Sequence, residues 1–77
     1  MSNVLIYSTP SCGWCVRAKE YFTENNVQYT EKDVAADETA RNEMLQKSGQ
    51  MGVPVIDIDG QIVIGFNQPK LAELLGL

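Results

Sequence analysis

The chain has 77 residues, of which 44% are hydrophobic and 21% are charged, and its formal net charge is -4. This composition is typical of a globular protein and unlike that of a disordered tail. At this length the chain can bury only one hydrophobic core, so we expect a single domain over residues 1–77. With only six Lys and Arg residues, the sequence lacks the clustered basic surface of a nucleic-acid-binding protein, and no nucleic-acid partner is expected.

The apolar runs are short. The longest, at residues 4–7, falls far below the roughly 20 residues that a membrane span needs, and no signal-peptide pattern opens the chain. We therefore expect a cytoplasmic protein with no membrane partner. In a reducing compartment, a pair of cysteines is expected to be catalytic or metal-binding rather than a permanent cross-link.

The first third of the chain predicts a strand followed by a helix. Residues 3–8, NVLIYS, are a β-branched and aromatic run, which predicts a strand buried on both faces. Over residues 13–25, apolar positions recur every three or four residues, as on the buried side of a helix. These positions are Cys15, Ala18 and Phe22.

The middle of the chain predicts a second strand and a second helix. Residues 27–34, VQYTEKDV, alternate in a way that predicts a strand with one exposed face, in which Glu31 shares a face with Val27 and Tyr29. Asp37 suits the N-cap of the helix, and Gly49 suits its end. The residues expected on the buried side of this helix are Ala40, Met44 and Leu45.

The last third predicts a β-hairpin and a final helix. Residues 54–65 contain two apolar runs around Asp59-Gly60, a strong hairpin signal. Asn67 suits the N-cap of a helix that ends before Gly76. The residues expected to face inward are Leu71, Leu74 and Leu75.

The resulting order, β-α-β-α-β-β-α, predicts an α/β sandwich. The strand-helix-strand start favours a parallel crossover, and the hairpin adds two antiparallel strands to the same sheet. We expect a four-stranded mixed sheet with helices on both faces. The loop after the first strand, which carries Cys12, then lies at the carboxyl end of the sheet, where such folds usually place their sites.

Cys12 and Cys15 are predicted to occupy unequal positions on the first helix. With Cys12 at its N-terminal edge, the free N–H groups of Trp14 and Cys15 are expected to point toward the Cys12 sulfur beside the positive end of the helix dipole. A thiolate is stabilised in such a position. Cys15 lies one turn further, on the buried side, so we expect Cys12 to attack a disulfide and Cys15 to resolve the mixed disulfide.

Three other uses of the cysteine pair were weighed. A structural zinc site needs four ligands, and the chain has two Cys and no His. A structural disulfide between these two cysteines would close a very short loop and remove little entropy from the unfolded chain. The third use is an iron–sulfur cluster shared by two subunits through Cys12 and added thiols, in a dimer that acts as a carrier or sensor. This is the rival hypothesis, and no metal site within one chain is predicted.

Four features together resemble the glutaredoxin family of the thioredoxin-like superfamily. They are the strand that ends in YSTPSC, the helix CGWCVRAKEYF, the GVP at residues 52–54, and a DG hairpin that leads to a glycine. The resemblance covers nearly the whole chain. It implies a thioredoxin-like sandwich, thiol-disulfide oxidoreductase activity, no tightly bound cofactor, and a monomer that acts on a disulfide-containing protein or small molecule.

The resemblance also implies roles for individual residues. Cys12 matches the attacking thiol and Cys15 the resolving thiol, while Pro54 matches a cis-proline that leaves the Val53 backbone free to pair with a substrate. Arg17 and Lys19 match positive positions that favour the thiolate. The residues expected to contact substrate are Trp14, Met51, Val53, Pro54, Phe66, Asn67 and Gln68.

Two departures from the family leave the electron donor open. Thr9 stands where many glutaredoxins have a lysine that binds a glutathione carboxylate. Phe66 replaces the second glycine of a common pair, and Asn67-Gln68 replace the acidic residues that follow it. Glutathione, as a co-substrate, and thioredoxin reductase therefore both remain expected donors.

The sequence shows no base for the cysteine pair. The chain has no histidine, and the first strand has no carboxylate. The proton transfers are therefore expected to involve water or the surroundings of Cys15.

Overall fold

The computed structural model describes residues 3–77 and contains one four-stranded sheet. The strands are β1 (Val4–Ser8), β2 (Thr30–Asp33), β3 (Val55–Ile58) and β4 (Gln61–Ile64), and the helices are α1 (Gly13–Glu24), α2 (Glu38–Ser48) and α3 (Gln68–Leu75). The strand order is β2-β1-β3-β4, with β1 parallel to β2 and antiparallel to β3, and β3 antiparallel to β4. The predicted order of elements and the mixed sheet are confirmed.

Helices cover both faces of the sheet, as predicted. Successive side chains of a strand point to opposite faces, and this divides the core into two clusters. Ile6 packs in one cluster with Phe22 of α1 and Leu71 of α3. Tyr7 packs in the other cluster with Met44 of α2. The fold is therefore an α/β sandwich with α1 and α3 on one side of the sheet and α2 on the other.

Strand β2 is shorter than the predicted strand at residues 27–34. It is an outermost strand of the sheet and pairs with β1, and the pairing begins at Leu5 with Thr30. Before that point the backbone is held by the end of α1, because the Val27 N–H donates to the Phe22 carbonyl at 2.8 Å. The alternation at residues 27–29 reflects side chains that pack on the core from a loop.

Helix α2 buries two of the three residues predicted to face inward. Ala40 and Met44 are buried, whereas Leu45 is 36% exposed. The reason is helical geometry: Ala40 and Met44 are four residues apart and share a side, whereas Leu45 is rotated by about 100° from Met44. The prediction for Leu45 was therefore wrong.

The turns bring three chain segments to one edge of the sheet. Asp59 and Gly60 adopt positive φ values of 52° and 91° and form the predicted hairpin turn. As a result, β4 ends at the same edge at which β3 begins and β1 ends, and the Gly65 N–H donates to the Pro54 carbonyl at 2.8 Å. This edge carries the segment that leads into α1.

A pair of neighbouring substitutions tests this arrangement of the core. Met44→Ala is expected to lower the free energy of unfolding by about 2–5 kcal/mol, because it leaves a cavity under α2. Leu45→Ala, the matched control, is expected to lower it by less than about 1 kcal/mol. Urea denaturation followed by circular dichroism measures both, and equal losses would contradict the described packing of α2.

Candidate active site

Cys12 caps α1 with its sulfur atom. Its backbone is extended, with φ -86° and ψ 111°, and its Sγ accepts a hydrogen bond from the Cys15 N–H at 3.1 Å. The Cys12 N–H is itself held by the Thr9 carbonyl at 3.3 Å. The sulfur thus occupies the place that a Ser or Asp oxygen takes at most helix starts. The sequence predicted that both Trp14 and Cys15 donate to Sγ, and within residues 3–77 the capping bond comes from Cys15 alone.

Cys15 is a buried thiol in the first turn of α1, three residues after Cys12. Its exposed fraction is 0%, whereas Cys12 is partly exposed. Burial raises the pKa of Cys15 to about 12, and its hydrogen bond with Cys12 adds to the rise. A backbone hydrogen bond with Thr9 and the charge of Lys19 oppose it, lowering this pKa in part. Cys15 is therefore protonated at neutral pH, and both cysteines are free thiols.

The Val53–Pro54 peptide lies opposite the sulfur of Cys12. The bond is cis, as predicted, and Pro54 is buried. The Val53 carbonyl lies 3.8 Å from Cys12 Sγ, within range of a hydrogen bond from the thiol. The loop before β3 therefore forms one wall of the space in front of the cysteine.

A shallow apolar groove of about 210 Å³ lies beside this wall. It is lined by Trp14, Val53, Pro54, Gly65 and Phe66. The Trp14 side chain is 58% exposed, and its ring lies 6.4 Å from that of Phe66 between centroids. The structure thus brings together four of the seven residues predicted to contact a substrate.

The other three predicted contacts lie outside the lining of this groove. Met51 is exposed in the loop before the cis peptide bond. Asn67 caps α3, because its Oδ1 accepts a hydrogen bond from the Lys70 N–H at 3.3 Å. Gln68 lines a separate groove of about 250 Å³ on the other side of Phe66.

The two predicted electrostatic residues have different partners. The Arg17 guanidinium carbon lies 5.6 Å from the centroid of the Trp14 ring, in a cation–π contact. Lys19 Nζ forms an ion pair with Glu31 Oε2 at 2.7 Å. The charge of Lys19 lowers the pKa of Cys15, so it acts on the resolving position of the pair.

Two residues of this region, Ser8 and Glu31, were not predicted from the sequence. Ser8 is only 1% exposed, and its hydroxyl group donates a hydrogen bond to Glu31 Oε2 at 2.6 Å. The pKa of Glu31 is lowered, chiefly by the hydrogen bond from Lys19 and then by that from Ser8. The sequence carried a signal for Glu31, because the alternation over residues 27–34 puts it on the same face as Val27 and Tyr29.

Within residues 3–77, no group of three or more His, Cys, Asp or Glu side chains is placed to hold a metal ion. None of the helices over the same residues combines the length and the apolar character needed to cross a membrane.

A family model described as Glutaredoxin matches residues 4–63. The chain belongs to the glutaredoxin family. It is 46% identical over 72 residues to the uncharacterized glutaredoxin-like 8.6 kDa protein in the rubredoxin operon of Clostridium pasteurianum, with 94% of this chain and 96% of that protein covered. Glutaredoxin 3 of Escherichia coli K12 is 37% identical over 65 residues, with 84% and 78% covered.

A solved structure of a thioredoxin-like protein shares this fold. The crystal structure of the thioredoxin-like protein BC3987 superposes with a TM-score of 0.88 at 40% identity, covering 94% of this chain and 99% of that one. The predicted thioredoxin-like sandwich is confirmed. Membership of the family, together with the two neighbouring cysteines, makes the protein a thiol-disulfide oxidoreductase.

Proposed function

We propose that residues 1–77 act as a single, monomeric dithiol oxidoreductase domain in which Cys12 attacks a disulfide and Cys15 resolves the product. The observation that carries the proposal is the bond from the Cys15 N–H to Cys12 Sγ. The bond joins the Cys12 sulfur, at the N-cap of α1, to Cys15, which lies in the first turn of the same helix. No metal or prosthetic group is needed for this chemistry.

The first step uses Cys12 as the nucleophile. Its sulfur lies at the N-terminus of α1, where it accepts the hydrogen bond of the Cys15 N–H, and its partial exposure lets a disulfide approach. The sulfur attacks one sulfur of the substrate disulfide. A Cys12–substrate disulfide forms, the substrate S–S bond breaks, and the other substrate sulfur leaves as a thiolate that takes up a proton.

The second step uses Cys15. Because this thiol is buried and protonated, it does not compete with Cys12 for the substrate. After losing its proton, Cys15 attacks Cys12 Sγ, the Cys12–Cys15 disulfide forms, and the second substrate sulfur leaves. The dithiol of the protein has then been oxidised by two electrons and the substrate disulfide reduced by two.

The groove beside Cys12 is suited to an extended polypeptide that carries the substrate disulfide. Trp14 and Phe66 offer aromatic surface, and the buried cis-proline presents the Val53 backbone next to the reacting sulfur. We assign Val53 and Pro54 to alignment of the substrate. Met51, which is exposed on the same loop, is assigned to the edge of a protein substrate too large for the groove itself.

Cysteine-to-serine variants separate the two steps. Cys12→Ser is expected to reduce a model disulfide no faster than buffer does, because the nucleophile is absent. Cys15→Ser is expected to accumulate a covalent adduct on Cys12, because attack proceeds without resolution. Mass spectrometry without reducing agent detects the adduct, and an adduct on Cys12→Ser, or full turnover by that variant, would contradict the assignment.

The charge of the site supports our choice of electron donor. Glutathione presents two carboxylates, and the lining of the groove has no charged side chain. At the start of α3, Pro69 has no N–H and Asn67 occupies the N–H of Lys70, which leaves Gln68 as the residue of this turn that can bind a carboxylate. We therefore propose a flavoprotein of the thioredoxin reductase type as the donor, in preference to glutathione.

Coupled assays of NADPH consumption test the donor. Oxidised protein is expected to be reduced faster by thioredoxin reductase than by glutathione with its reductase. Thr9→Lys supplies a cation beside the site and is expected to raise turnover with glutathione by up to about fivefold, corresponding to about 1 kcal/mol, while leaving turnover with the flavoprotein unchanged.

Equal or faster reduction of the unaltered protein by glutathione would contradict the choice of donor and leave the dithiol chemistry intact. Brown, dimeric protein after anaerobic purification, with no turnover by either donor, would instead support the iron–sulfur carrier.

A further inference from the structure

A polar network lies under the first half of α1, on the side of the sheet that carries Cys15. Register places Glu31 of β2 beside Ile6 of β1, and Ser8 is two residues further along β1, on the same face. The Glu31 carboxylate bridges Ser8 Oγ at 2.6 Å and Lys19 Nζ at 2.7 Å through one oxygen. One ion pair, with Glu31, therefore anchors the Lys19 ammonium to the sheet, and the hydrogen bond from Ser8 holds the Glu31 carboxylate in place.

The anchored ammonium is closer along the helix to Cys15 than to Cys12. Cys15 and Lys19 are four residues apart, so they lie on one side of α1 about one turn from each other. Cys12 caps the helix seven residues before Lys19 and is turned toward the Val53 carbonyl. A fixed positive charge at Lys19 therefore stabilises a negative charge on Cys15 in particular.

Solvent reaches this network from behind the active site. A groove of about 470 Å³ runs between α1 and the segment of β2, and both Lys19 and Glu31 line it. The groove next to Cys12 has a different set of lining residues. A substrate bound in front of Cys12 therefore leaves the groove lined by Lys19 and Glu31, here called the rear groove, open to water.

We infer that Ser8 and Glu31 are positioning residues that hold Lys19 beside Cys15, so that the Cys15 thiolate is stabilised while it resolves the mixed disulfide. This inference rests on the proposed function. The Cys15 proton passes to water, which reaches the network through the rear groove. The thiolate then attacks Cys12 Sγ, the Cys12–substrate bond breaks, and the substrate sulfur leaves with its electron pair.

Few ionisable groups act on this step. Those that act on Cys15 are Cys12 and Lys19, and those that act on Lys19 are Glu31, Tyr29 and Cys15 itself. On α3, which packs against α1, Lys70 and Glu73 lie 3.9 Å apart and are exposed. The pH dependence of resolution is therefore assigned to Cys15, whose pKa burial raises and the charge of Lys19 lowers in part.

A two-phase experiment isolates this step. Reduced protein is mixed in a stopped-flow instrument with one equivalent of the aromatic disulfide DTNB, and the release of thionitrobenzoate is followed by absorbance. Attack by Cys12 releases the first equivalent and leaves the second bound to Cys12. Resolution by Cys15 releases the second equivalent, and its rate is measured as a function of pH.

Lys19→Met is expected to move the resolution profile toward higher pH, because loss of the positive charge disfavours the Cys15 thiolate. A displacement of about one pH unit corresponds to about tenfold slower resolution at neutral pH. Lys19→Arg is expected to restore most of the rate. Ser8→Ala, which leaves every charge in place, is expected to shift the profile in the same direction by a smaller amount.

The Glu31→Gln variant distinguishes a role of Glu31 in positioning Lys19 from a direct effect of the Glu31 charge on Cys15. Loss of a carboxylate alone would favour a nearby thiolate and speed resolution, whereas loss of the anchor of Lys19 slows it. We expect slower resolution, and no change for Glu20→Gln, which removes an exposed carboxylate of α1 lining the same groove. Circular dichroism confirms that each variant is folded.

Unchanged profiles for folded Lys19→Met and Ser8→Ala, or faster resolution by Glu31→Gln, would overturn the inference and leave the proposed function standing. Absence of the first release in the unaltered protein would overturn the proposed function, and this inference with it.

Discussion

The proposed chemistry depends on one hydrogen bond, from the Cys15 N–H to the sulfur of Cys12. The bond makes a cysteine the N-cap of α1 and so joins the proposed nucleophile to the helix that buries Cys15. Because α1 packs on the sheet through Ala18 and Phe22, the same packing that stabilises the fold fixes the separation of the two sulfurs along the helix. Stability and reactivity therefore share one set of contacts.

The second constraint is the direction of the strands. A mixed sheet in which β4 and β1 end at the edge where β3 begins brings the Val53–Pro54 peptide and Phe66 in front of Cys12. These segments are about 40 to 50 residues from Cys12 in the sequence, and no short-range pattern links them to it. The site exists only when the hairpin has docked against β1.

Local patterns in the sequence were sufficient to predict the elements and the cysteine pair. Hairpin and capping signals depend on a few neighbouring residues, and Asp59-Gly60, Asp37 and Asn67 behave as those signals indicate. The prediction was wrong where the outcome depended on a distant partner or on the exact rotation of a helix. The start of β2 is set by its pairing with β1, which begins at Thr30 opposite Leu5, and Leu45 is turned away from the core by one residue of rotation.

The predictions for the site divide in the same way, between local signals in the sequence and contacts between distant segments. Cys12 and Cys15 were predicted from their spacing at the start of a helix, and the cis-proline was predicted from the resemblance to glutaredoxins. The link from Ser8 through Glu31 to Lys19 joins β1, β2 and α1, so only the folded chain displays it. The substrate-binding roles of all seven residues stay predictions, and Met51, Asn67 and Gln68 lie around the groove rather than in its lining.

The most direct test of the central claim is the alkylation of the two thiols in the native, fully reduced protein. Iodoacetamide is added near neutral pH, and the labelled cysteines are identified by mass spectrometry of peptides. The account predicts rapid labelling of Cys12 and protection of Cys15, with Cys15 labelled only after denaturation. Equal labelling of both cysteines, or faster labelling of Cys15, would contradict the division of roles between an accessible nucleophile and a buried resolving thiol.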